Sequence, residues 1–135
     1  MSKPTIGIIG GGQLGSMLST AAKNLNIKTV IISDDEHAPA KFFADEFIYC
    51  NYNDELKIEE FSNKIDFVTF EFENIPYETL CKIDNIKKVN PKPSINKIIQ
   101  NRLSEKDFLN KYNIKTTSYI SVKNESELRL SLIHI

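Results

Sequence analysis

Glycine stands at the first, third and sixth positions of Gly10-Gly11-Gly12-Gln13-Leu14-Gly15, a spacing that turns backbone amides toward an anion. The first glycine permits a tight turn, the second lets a ligand approach the backbone, and the third lets a helix pack closely on a strand. A helix opening at Gln13 adds the positive end of its dipole, so phosphate is the expected guest. The chain's other glycine, Gly7, lies just upstream, and none follows Gly15. A second cluster is Phe70-Glu71-Phe72-Glu73-Asn74-Ile75-Pro76. If a strand runs through it, alternation buries Phe70 and Phe72 and sets Glu71 and Glu73 on the opposite face, roughly 7 Å apart. Carboxylates there can accept from sugar hydroxyls. A third group, Asp34-Asp35-Glu36-His37, follows the glycines at about the distance where a dinucleotide fold places its ribose-binding acid. Solvated loop acids explain that group equally well, and His37 is given no role.

The elements that must carry these residues read as alternating strands and helices. Residues 5–9 form a β-branched apolar run. Residues 13–24 show Leu14, Met17, Leu18 and Ala21, continued by Leu25, at helical spacing, and 28–32 form a second Val- and Ile-rich strand. A helical turn at 40–44 and a strand at 46–49 follow. Next come a helix at 54–63 with Leu56, Ile58 and Phe61 inward, a strand at 66–70, and a helix from Pro76 to about Ile83. A short fifth strand is predicted at 87–90, closed by Pro91 and Pro93. Beyond it lie a helix at 96–112, with Ser94 as a possible cap and Ile98, Ile99, Leu103, Phe108 and Leu109 as its apolar stripe, a strand at 116–122 and a helix opening at 125–130. This order predicts an α/β fold with a doubly wound parallel sheet. Its strand order reverses between the first and fourth strands, which brings the glycine loop opposite the acids.

Composition narrows the function. The chain has 135 residues, 41% of them hydrophobic, and a net charge of −1, so no basic surface for nucleic acid is implied. Cys50 and Cys81 are far apart and read as buried free thiols, with neither a zinc site nor a disulfide framework. The apolar run before the glycines fits neither a signal peptide nor a membrane span, and a reducing cytosol is expected.

The stretches "IGIIGGGQLGSML", "DDEHAPA", "DFVTFEFENIP" and "IIQNRLSEKDFL" resemble, in order and spacing, the 5-(carboxyamino)imidazole ribonucleotide synthase family of the ATP-grasp superfamily. The resemblance runs from Thr5 to Val122. It implies a Rossmann-like pre-ATP-grasp domain at 1–93 and the beginning of an ATP-grasp domain at 94–135. It also implies a ligase of purine biosynthesis that joins ATP, bicarbonate and 5-aminoimidazole ribonucleotide through carboxyphosphate, with ATP and Mg2+ as cofactors and a homodimer at full length. By the same resemblance Gly12, Gln13, Leu14, Gly15 and Glu73 lie on the ribonucleotide side, while Arg102, with Lys106 one helical turn away, approaches ATP. No catalytic residue and no metal ligand is implied within the chain, whose ending departs from the family, so the polypeptide alone is expected not to hydrolyse ATP. Two other functions remain open on the residues themselves: an NAD(P)-binding domain of an oxidoreductase using Asp34, and a noncatalytic module binding a phosphorylated metabolite.

Overall fold

The computed structural model describes residues 3–133, without side chains for 130–133. Four parallel strands, β1 (Thr5–Ile9), β2 (Lys28–Ser33), β3 (Glu46–Tyr49) and β4 (Phe67–Phe70), form one sheet in the order β3-β2-β1-β4. The helices are α1 (Gln13–Asn24), α2 (Glu55–Asn63), α3 (Tyr77–Ile86), α4 (Pro93–Ile99), α5 (Arg102–Lys111) and α6 (Glu125–Ile133), with a 3-10 turn at Pro39–Phe42. The chain divides into two compact units, Met1–Lys97 and Ile98–Ile135.

In the first unit β-branched residues dominate both faces of the central strands, as a sheet covered on both sides requires. Ile9, Val30, Ile32, Ile48 and Val68 pack with Phe61 of α2 and Leu80 and Ile83 of α3 in the larger core, while Ile8 and Ile31 meet Ala40 on the other face. Asp54 starts α2 by accepting from Lys57 N–H at 3.1 Å.

Several sequence expectations change. The face of α1 that enters the protein is Gly15, Ser16, Ser19 and Ala22, and the larger Leu14, Met17, Leu18 and Leu25 are exposed. Close approach is the cause: a Cβ on Gly15 would stand 2.8 Å from the Gly10 carbonyl oxygen, so only small side chains fit against the sheet. Leu56 is exposed too, leaving Ile58 and Phe61 as the inward residues of α2. Cys50 is buried but Cys81 only partly so. The fifth strand shrinks to a single bridge between Val68 and Val89, because the prolines leave no length to pair.

The helix expected over 96–112 is two helices. It breaks where the Asn101 side chain accepts from Ser104 N–H at 3.0 Å and caps α5, and Ser94 falls inside α4 in place of capping it. Among the described residues, 114–123 form no strand. They are held to α5 by side chains: Lys106 Nζ donates to Thr117 Oγ1 at 3.1 Å, and Tyr119 Oη donates to Asp107 Oδ1 at 2.7 Å.

Candidate functional site

The sheet order reverses where β1 and β4 lie side by side, and the glycine turn leaves the carboxyl end of β1 at that point. Gly10 has φ +109°, a conformation that other residues rarely adopt, and its N–H donates to Ile32 O at 2.9 Å. The Gly11 carbonyl accepts from Ala40 N–H at 3.0 Å, so the loop after β2 braces the turn from one side.

The other side is braced by Glu71. β4 stops at Phe70, yet Glu71 N–H still reaches Ile9 O at 3.1 Å, which turns the side chain toward the glycines. Its Oε1 accepts from Gly12 N–H at 2.9 Å. The expected alternation therefore stops where the strand does: Phe70 packs on the core, and Phe72 is exposed in place of being buried with it. Glu73 lies in the exposed turn that follows. That turn is fixed further along by the fully buried Asn96, whose Nδ2 donates to Ile75 O at 3.3 Å.

A cavity of about 210 Å³ opens before the turn, lined by Gly10 to Gly12, Ser33, Asp34, Asp35, Tyr52, Glu71 and their neighbours. Asp34 and Asp35 are exposed at its rim, where Asp35 Oδ1 accepts from His37 N–H at 2.8 Å. Burial, and after it the Asp34 charge, pushes the Tyr52 phenol upward, so it stays a neutral hydroxyl at physiological pH. Burial pushes the buried Cys50 thiol up to about 11, which keeps it protonated at physiological pH.

Of the sequence-predicted residues, Gly12 lies in the turn against Glu71. Gln13, Leu14 and Gly15 open α1, where their N–H groups have no acceptor within the helix. Arg102 and Lys106 lie in the second unit. Arg102 is exposed and ion-paired with Glu105, and Lys106 is tied to Thr117. Sequence reasoning set both acids opposite the glycine loop, and Glu71 is the one that accepts from Gly12 N–H. The paired acids were visible in the sequence, but which one faces the glycines depends on where β4 ends. Among the described residues no three His, Cys, Asp or Glu side chains gather to hold a metal. None of their helices is long and apolar enough to cross a membrane.

Comparison with known proteins agrees with this architecture. N5-carboxyaminoimidazole ribonucleotide synthase from Staphylococcus epidermidis is 34% identical over 124 residues, covering 92% of this chain and 33% of that protein. The chain thus spans about a third of the curated relatives it matches. The crystal structure of N5-carboxyaminoimidazole synthetase from Staphylococcus aureus complexed with ADP superposes with a TM-score of 0.87 at 34% identity, over 98% of this chain and 36% of that one. The Aspergillus clavatus enzyme in complex with ADP and 5-aminoimidazole ribonucleotide superposes with a TM-score of 0.72 at 28% identity, over 82% of this chain and 30% of that one. Residues 3–100 match the ribonucleotide synthetase preATP-grasp domain, and the chain belongs to that family.

Proposed function

We propose that this chain supplies the ribonucleotide-binding side of a ligase that carboxylates the exocyclic amine of 5-aminoimidazole ribonucleotide with ATP and bicarbonate, a step of purine biosynthesis in the cytoplasm carried out by a homodimer. The observation that carries this reading is the meeting of the glycine turn and Glu71, just beyond β4, where β1 and β4 lie side by side. The likeness to enzymes crystallised with ADP and with 5-aminoimidazole ribonucleotide supports the same assignment.

In this reading Gln13, Leu14 and Gly15 present N–H groups to the phosphate, Gly12 shapes the turn, and Glu73 accepts from the ribose. Arg102 and Lys106 form one face of α5, an i, i+4 pair suited to the phosphates of ATP. ATP supplies the phosphoryl group that activates bicarbonate; the part of the residues described here is to bind and orient. An NAD(P) domain is the competing reading, favoured by Asp34 at the cavity rim beside the end of β2.

Calorimetry separates the two. Aminoimidazole ribonucleotide is expected to bind and NAD not to bind, with Glu73→Gln weakening the ribonucleotide about tenfold, the loss of one charge-assisted hydrogen bond. NADH binding that disappears in Asp34→Ala would transfer the chain to the oxidoreductases.

A further inference from the structure

The anion position of the glycine turn is already filled by the chain itself. Gly12 N–H donates to Glu71 Oε1 at 2.9 Å, and a Cβ built on Gly10 would stand 2.8 Å from the same oxygen, so the carboxylate lies flat against the turn. It is held there by backbone, since Glu71 N–H is bound to Ile9 O at 3.1 Å. The cavity beside it adds Asp34 and Asp35, and no lysine, arginine or histidine lines it. A phosphate entering at Gly12 would compete for an N–H that already has a charged acceptor and would meet that acceptor's charge at hydrogen-bond distance. The groups that suit this wall are donors: sugar hydroxyls or an amine.

We infer that Glu71 is a specificity-determining positioning residue, which holds the Gly10–Gly12 turn and bars phosphate from it, so that the adjoining cavity receives a hydroxyl or amine donor. The inference deepens the ribonucleotide reading and rests on it for the ligand. It orients that ligand, with the phosphate on the amides of Gln13, Leu14 and Gly15 and the donor groups toward Glu71. The same device explains how a glycine spacing shared with dinucleotide-binding folds can refuse a pyrophosphate: discrimination comes from a repulsive group built into the turn.

Amide NMR tests this directly. Inorganic phosphate titrated into the wild-type chain is expected to leave the Gly12 resonance in place while shifting those of Gln13 and Leu14. Glu71→Gln keeps an acceptor for Gly12 and removes only the charge, and Glu71→Ala vacates the position. Both are expected to acquire a phosphate-dependent shift at Gly12, with apparent affinity there raised about tenfold or more. A gain of binding is a readout that damage to the fold does not produce. Saturable movement of Gly12 by phosphate in the wild type overturns the inference whether or not the variants fold, and so does the absence of any gain in folded variants. If the wild type shields Gly12 from phosphate but does not bind aminoimidazole ribonucleotide, the functional reading fails and the role of Glu71 stands.

Discussion

The two compact units are held together by different means. In Met1–Lys97 the strands, α2 and α3 converge on fully buried side chains such as Ile9, Phe61, Leu80 and Ile83, and backbone hydrogen bonds close the sheet around them. In Ile98–Ile135 no residue of α5 is buried, and its fixed points are an Asn101 cap and polar ties from Lys106, Asp107 and Asn110 to the segment that follows. Burial is cooperative, whereas exposed polar ties act one at a time and compete with water. The difference teaches where precision is available: the glycine turn and Glu71 sit on the cooperative framework, and Arg102 and Lys106 do not.

The strongest way to break the contrast is Phe61→Ala. Truncating this fully buried ring is expected to remove about 3–5 kcal/mol, read as a lower urea midpoint, while the exchange of α5 amides changes little. Gly10→Ala comes next. A side chain at φ +109° costs about 1–3 kcal/mol and also pushes on Glu71, so stability falls and ribonucleotide affinity drops with it, both measurable on one preparation. Asn101→Ala sharpens the contrast from the other side: losing the cap costs about 1 kcal/mol of helix stability, seen as lower helicity in α5 with the urea midpoint of the sheet unchanged. The smallest effect on folding is expected from Arg102→Ala, whose exposed pair with Glu105 contributes about 0–1 kcal/mol; under the proposed function the same variant is expected to weaken ATP binding by titration calorimetry. A fall in urea midpoint for Arg102→Ala as large as that for Phe61→Ala would erase the distinction between the units.

Legibility in the sequence varied within the first unit as well as between the two. β1 to β4 were readable because Val- and Ile-rich runs between turn residues have few alternatives. The inward face of α1 was not, because hydrophobicity marks large residues and close packing at Gly15 selects small ones. Glu71 was visible as one of two acids, but its aim depends on a strand end fixed by a single bond to Ile9 O, which no periodicity encodes. The segment after α5 reads as a strand by composition alone, but composition supplies no pairing partner, and residues 114–123 are irregular.

The single bridge at Val89 has a consequence for how the chain behaves in a crowded solution. Val68 N–H donates to Lys88 O and Val68 O accepts from Asn90 N–H, so the outer rim of β4 presents few open groups to a strand from another molecule. Pro91 and Pro93 come directly afterwards and cannot donate to such a pairing. A stub too short to count as a strand thus works as a guard against amyloid-like addition at this rim.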